Sequence, residues 1–184
     1  MAVKNKTRYA VLGVLSIMSG SGYDIKKFCD KTIKHFWNEN FGHIYPVLSK
    51  LEKDEFIKIK DINSDNNRNK KIYEITDKGK NEFKKWLLEP VDFKPPRSEL
   101  LLKISFGNQM GKSKILYILE NTRKKYIEKI EIYKLLEKPY LKDEAAKKDK
   151  QYYYWLSSLR YGIILTEAKI KWCNETINNL SCLE

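Results

Sequence analysis

Apolar and polar positions follow a helical period at first, switch to strict alternation, and then return to a helical period to the end of the chain. Tyr9 to Met18 is dense in apolar residues and predicts a buried helix, which Ser19-Gly20-Ser21-Gly22 breaks. Ser21 followed by Asp24 has the spacing of a helix-starting cap, the hydroxyl accepting an orphan amide while the carboxylate reaches back. The helix behind it carries Ile25, Phe28, Cys29, Ile33 and Phe36 on one broad face. A break at Asn38 to Gly42 precedes a helix over 43–54, with Ile44, Val47, Leu48 and Leu51 at i, i+3, i+4 and i+7. Pro46 falls in the first turn of that helix, where a missing amide costs nothing. Then Ile57 and Ile59 alternate with Lys58 and Lys60, and Tyr73 and Ile75 flank Glu74. These predict two strands joined by the polar loop 63–69. Thr76 caps a further helix, with Asp77 in its first turn and Phe83, Trp86 and Leu87 facing inward.

Pro90, Pro95 and Pro96 end that helix and mark a linker over 91–97, separating a first domain at 1–90 from a second at 98–184. The second domain reads almost wholly helical. Ser98 to Phe106 forms a short helix ending at Gly107, and Gly111 is another break. Ile115, Leu119, Thr122, Tyr126, Ile130, Tyr133 and Leu136 then recur at coiled-coil spacing. So do Leu156, Leu159, Ile163, Thr166, Ile170, Cys173, Ile177 and Leu180, with Pro139 and the charged stretch 142–150 between the two seams. Narrow seams of this kind want partner helices. The fold class is therefore mainly α with a small two-stranded β-wing: a winged helix-turn-helix domain followed by a helical domain.

In a winged helix-turn-helix the third helix enters the major groove and the wing rests on the backbone. The helix 43–54 sends its apolar residues to one side and presents His43, Tyr45, Pro46, Ser49, Lys50 and Lys53 on the other. Ser, Lys and Tyr reach base edges or phosphates. The wing adds Asn67, Arg68, Lys70 and Lys71, while Gly22 and Tyr23 begin a helix whose amides suit a phosphate. Any one surface lysine is more often solvated than functional, so the group carries the reading. The net charge of +12 permits nucleic acid. It locates no site, because residues 1–96 hold 19 basic and 13 acidic side chains and 97–184 hold 17 and 11.

The blocks Tyr9-Ala10-Val11-Leu12-Gly13-Val14-Leu15, Ser21-Gly22-Tyr23-Asp24-Ile25 and Gly42-His43-Ile44-Tyr45-Pro46-Val47-Leu48-Ser49-Lys50-Leu51-Glu52 resemble, in order, those of the PadR family of transcriptional regulators. Asn69 to Gly79 resembles the family's basic tip, aromatic strand and Thr-x-x-Gly helix start, with Asn67-Arg68-Asn69 replacing the usual Gly-Arg-Pro tip. Tyr154-Trp155-Leu156 and Leu159-Arg160-Tyr161-Gly162 look like the virulence-activator-type C-terminal domain of the longer subfamily. The resemblance implies a homodimeric repressor of a dyad-symmetric double-stranded operator, paired through its C-terminal helices. That assigns Leu156, Leu159, Gly162, Ile163, Ile170 and Ile177 to the dimer interface. It also implies release by a small aromatic or hydrophobic effector, for which Tyr152, Tyr153, Tyr154, Trp155 and Tyr161 are the candidate lining; packing of the dimer seam is the alternative use of these rings.

Catalysis has little support in the sequence. His35 and His43 sit in no zinc-ligand pattern, Gly20-Ser21-Gly22 lacks the Gly-Lys-Ser/Thr of a phosphate loop, and no nucleophile elbow occurs. No cofactor and no metal is expected. Cys29, Cys173 and Cys182 suit reduced thiols, the first two on apolar faces. No apolar run approaches the roughly 18 residues that span a bilayer, and polar Met1 to Arg8 lacks a signal-peptide cleavage pattern. A cytoplasmic protein without a membrane partner is expected. The competing class is a non-catalytic adaptor that uses the same fold to bind protein; RNA association is a third.

Overall fold

The computed structural model describes residues 6–34, 36–37, 41–65, 68–92, 97–144 and 146–183, without the side chains of 41, 63–65, 68–69, 140 and 146. The chain divides into two compact units, Met1–Asp92 and Phe93–Glu184. Residues 93–96 of the expected linker lie outside the described residues. The chain is mainly helical with a two-stranded antiparallel wing.

In the first unit α1 (Thr7–Ile17), α2 (Gly22–Thr32) and α3 (Phe41–Lys53) precede β1 (Ile57–Asp65), β2 (Arg68–Ile75) and α4 (Asp77–Leu87). Leu12, Ile25, Ile44, Leu48, Leu51 and Ile57 form the centre of the core, each less than 2% exposed. Burying a side chain of this size contributes about 1.5–3 kcal/mol over leaving it in water. The capping box at α2 is present in both directions, Asp24 N–H donating to Ser21 Oγ at 3.3 Å and Ser21 N–H to Asp24 Oδ2 at 3.0 Å. The helix is shorter than the apolar face implied. It stops at the β-branched pair Thr32-Ile33, where the Thr32 hydroxyl bonds the Phe28 carbonyl at 2.8 Å, and Phe36 beyond it is exposed. Conversely, α3 begins at Phe41, so Gly42 is helical and Pro46 stands in the second turn. There its missing N–H removes the bond to the Gly42 carbonyl, a loss offset by burial of Ile44, Val47 and Leu48.

The polar stretch 63–69 is mostly ladder rather than loop. Pairing runs from Ile57↔Ile75 out to Asp65↔Arg68, with an irregularity between Ile59 and Asp61. Backbone amides and carbonyls make the ladder whatever side chains they carry. On the other edge of β2, Gly20 and Tyr73 exchange two 3.0 Å hydrogen bonds, so the turn after α1 joins the sheet. Thr76 caps α4 by accepting from Gly79 N–H at 3.1 Å. Trp86 of α4 stacks on Tyr9 of α1 at 4.4 Å between ring centroids, while Leu87, expected inside, is exposed.

α3 ends in a Schellman motif: Phe56 N–H donates to the Leu51 carbonyl at 2.9 Å and Glu55 N–H to that of Glu52 at 3.0 Å. The motif places Glu55 at φ 62°, a left-handed conformation that glycine adopts without penalty. Glu55→Gly is therefore expected to raise stability by about 0.5–1 kcal/mol, strain relief outweighing the added freedom of the unfolded chain. Its exposed ion pair with Lys78, at 3.2 Å, contributes little. Urea unfolding checks this; a lower midpoint would contradict it.

The second unit contains α5 (Glu99–Ser105), a 3₁₀ turn at Gly107–Gln109, α6 (Lys112–Lys142) and α7 (Lys150–Ser181). Gly111, at φ 81°, starts α6. Pro139 does not break α6, which continues to Lys142 before turning. Arg123 bonds Asn174 at 3.1 Å and Arg160 bonds Glu137 at 3.1 Å, while Lys112 donates to the carbonyls of Ser181 and Leu183. The start of α6 thus meets the end of α7, and the pair is an antiparallel hairpin. The two seams close on each other within one chain: Ile130, Tyr133, Leu159 and Ile163 form a shared core with Ile170 against it.

Candidate nucleic-acid interface

The periodicity of α3 divides it cleanly. Ile44, Val47, Leu48 and Leu51 are buried, whereas His43, Tyr45, Pro46, Ser49, Lys50 and Lys53 are exposed. The Tyr45 ring lies across the first residue of α2, so closely that a Cβ on Gly22 would stand 2.9 Å from it. Gly22 is itself buried, its missing side chain admitting the Tyr45 phenol. Tyr23 beside it is exposed. The capping box occupies the amides of Ser21 and Asp24, leaving fewer donors at this helix start than an uncapped helix would offer.

The wing lysines are brought to this surface, each against a carboxylate. Lys70 Nζ lies 3.1 Å from Asp24 Oδ2 and 3.4 Å from Oδ1; Lys71 Nζ lies 3.8 Å from Glu52 Oε2. Lys58 and Lys60 share Glu74 at 3.1 and 3.7 Å. Asn67 lies outside the described residues, as does the side chain of Arg68. Partial burial alone would raise the Asp24 pKa, but hydrogen bonds from the Ser21 hydroxyl and amide, with Lys70, outweigh it and hold the carboxyl below the usual range. Tyr73, buried under the wing root, has its phenol pushed up by burial and by Glu52 and Tyr45 nearby. In the sequence Asp24 is legible only as a helix cap, and Glu52 carries no signal of its own. No local spacing joins Asp24 to Lys70, which are 46 residues apart.

The second unit treats its candidates less evenly. Leu159 and Ile163 are buried against α6 of the same chain, so their burial is complete without a second copy. Leu156, Gly162, Ile170 and Ile177 remain half-buried. The proposed effector aromatics spread around α7: Tyr152 is buried, Trp155 half-buried, and Tyr153, Tyr154 and Tyr161 are exposed. Consecutive helical residues point about 100° apart, so a run of four cannot line one face. Cys29 and Cys173 are buried and Cys182 is exposed. Burial pushes the Cys173 thiol up, with Arg123 opposing. Among the described residues there is no group of three or more His, Cys, Asp or Glu that could hold a metal, and no helix long and apolar enough to cross a membrane.

Residues 11–85 match the transcriptional regulator PadR-like family, and residues 96–181 match the virulence activator alpha C-terminal domain. The chain is 35% identical over 101 residues to the negative transcriptional regulator PadR of Bacillus subtilis, a match spanning 54% of this chain and only 55% of that relative. It is 26% identical over 182 residues to the probable transcriptional regulator Rv1176c of Mycobacterium tuberculosis, covering 94% of this chain and 96% of that one. The crystal structure of the PadR-like regulator BC1756 from Bacillus cereus superposes with a TM-score of 0.76 at 28% identity, over 96% of this chain and 99% of that one. Bacillus subtilis PadR in complex with operator DNA shares the fold with a TM-score of 0.83 at 23% identity, over 95% and 98%. The same protein has also been solved with p-coumaric acid, at a TM-score of 0.78 and 24% identity, over 95% and 98%.

Proposed function

Because the chain belongs to the PadR-like family of transcriptional regulators, whose members are not enzymes, we propose that it is a dimeric repressor binding a dyad-symmetric double-stranded operator. The observation that carries the reading is the outer face of α3, where Tyr45, Ser49, Lys50 and Lys53 stand exposed beside a lysine-bearing wing. Tyr45, Ser49 and Lys50 reach base edges and phosphates of one major groove, and the wing follows the adjoining backbone. Arg68 and Asn67 at the tip belong to the same assignment. Two such domains pair through the second unit. Apolar side chains that one hairpin leaves exposed, including Ile132, Leu135 and Ile164, supply material for that contact beside half-buried Leu156, Gly162, Ile170 and Ile177. Two-fold pairing sets half-sites about one helical turn, or a multiple, apart. A small aromatic or hydrophobic effector, held against exposed Tyr153, Tyr154 and Tyr161, releases the DNA. The protein works in the cytoplasm, where its operator is.

Fluorescence anisotropy on the DNA upstream of its own gene, against a scrambled duplex at two salt concentrations, tests this reading. Specific binding is expected to exceed scrambled binding by about a thousandfold and to weaken steeply with salt. The double substitution Tyr45→Ala and Lys50→Ala is expected to lower operator affinity by about a hundredfold at an unchanged melting temperature, each lost contact costing about 1–3 kcal/mol. Retained affinity would remove α3 as the reading surface. Equal, weak binding of the native protein to both duplexes would favour the adaptor instead.

A further inference from the structure

We propose that Asp24 and Glu52 are specificity-determining residues, holding the wing lysines Lys70 and Lys71 in internal ion pairs that suppress binding to DNA of unrelated sequence. The inference rests on the DNA-binding reading above and extends it to the choice between operator and bulk DNA.

Most surface ion pairs tie two mobile side chains and contribute little, because ordering both offsets the attraction. Asp24 differs in being immobilised before Lys70 arrives. Its Oδ2 accepts from the Ser21 hydroxyl at 2.6 Å and from the Ser21 amide at 3.0 Å. Both its oxygens lie within reach of Lys70 Nζ. The wing root is immobilised too, by the reciprocal bonds between Gly20 and Tyr73 three residues along β2. Glu52 is likewise carried on a rigid helix, α3, with Lys71 of β2 opposite it.

Non-specific binding to a duplex scales with the number of free cations that replace condensed counterions. A lysine already held by a carboxylate gives no such gain until a phosphate displaces its partner, and the freed carboxylate then faces the DNA backbone. On an operator, base contacts from α3 fix a phosphate in register with the wing and support that exchange. On unrelated DNA no contact fixes the register, and the lysines stay with Asp24 and Glu52. Each pair thereby removes about one phosphate contact from the unspecific mode while leaving it available to the specific one.

The test is the combined variant Asp24→Asn and Glu52→Gln, with Glu52→Gln alone as a form that leaves the capping box untouched. Asparagine at 24 retains an oxygen to accept from the Ser21 amide, and thermal melting verifies the fold. Binding is measured on a scrambled duplex and on upstream DNA across a salt series. The combined variant is expected to bind scrambled DNA about tenfold or more tightly, with a log–log salt slope steeper by about one to two. It should gain less on upstream DNA, so the specificity ratio falls. In a Lys70→Gln background, Asp24→Asn should no longer steepen the slope, which separates release of the lysine from loss of a negative charge. Unchanged or weakened scrambled binding, with an unchanged slope in both Glu52→Gln and the combined variant, would overturn the proposal and leave the pairs structural. If the native protein binds no duplex even at low salt, the DNA-binding reading falls and takes this one with it. If the native protein binds and the variants match it, only this inference falls.

Discussion

Gly79→Ala is expected to destabilise the first unit by about 3 kcal/mol or more, the upper range for forcing extra atoms into a packed site. The sign is opposite to what a helical glycine ordinarily implies, since alanine in a helix interior gains about 1 kcal/mol over glycine. Here the new methyl would stand 2.1 Å from the Phe56 carbonyl oxygen and 2.9 Å from Ile75 Cγ1. The carbonyl cannot simply yield. It accepts from Thr76 N–H at 3.1 Å and shares the Thr76 hydroxyl, at 3.1 Å, with the nearer Glu55 carbonyl at 2.8 Å, and these bonds join the end of α3 to the start of α4. Moving it breaks the junction on which both wing strands are seated. In a unit of this size 1 kcal/mol moves the midpoint by roughly 4–8 °C, so melting should begin more than about 10 °C below the native protein. A midpoint within about 2 °C of native would show that the junction relaxes freely.

Gly22→Ala makes the contrasting case. The crowding is milder, and the atoms met belong to the Tyr45 ring, at 2.9 and 3.1 Å, and to Leu48 Cδ1 at 3.3 Å. Side-chain ends give way more readily than a hydrogen-bonded backbone carbonyl, and buried Leu48 need shift by only a few tenths of an ångström, so the melting temperature should stay within about 3 °C, less than 1 kcal/mol. What changes is the place of the Tyr45 hydroxyl relative to Ser49 and Lys50. If those side chains read one groove together, a displacement of that size should lower operator affinity by about tenfold, one good contact's worth. A double-mutant cycle with Tyr45→Ala isolates the effect: in that background Gly22→Ala should change nothing further. An equal loss with and without Tyr45 would assign the effect to the backbone of α2 instead.

The two glycines illustrate how far sequence reading reaches. Both lie in blocks that mark helix starts, and both read alike as letters. Only the packing tells that one faces a hydrogen-bonded backbone carbonyl and the other the far end of a side chain. The same division runs through the second unit. The spacing of Leu159 and Ile163 shows that they pack against a helix, but not that the helix is α6 of the same chain. Polar side chains at 63–65 suggested a loop, although the ladder through Asp65↔Arg68 uses backbone groups that no side-chain pattern reports.

What the sequence determined by itself was everything set by neighbours three or four residues apart. The Ser21–Asp24 box, the Thr76 cap, the two faces of α3 and the seams of α6 and α7 are local consequences of side-chain chemistry and helical period. The tertiary structure alone decided which surfaces meet: Tyr45 over Gly22, Gly20 beside Tyr73, Lys70 on Asp24, and one seam closing on the other. Such contacts depend on how rigid elements dock, a choice made by the summed burial of the whole core, and no short stretch of chain carries that sum.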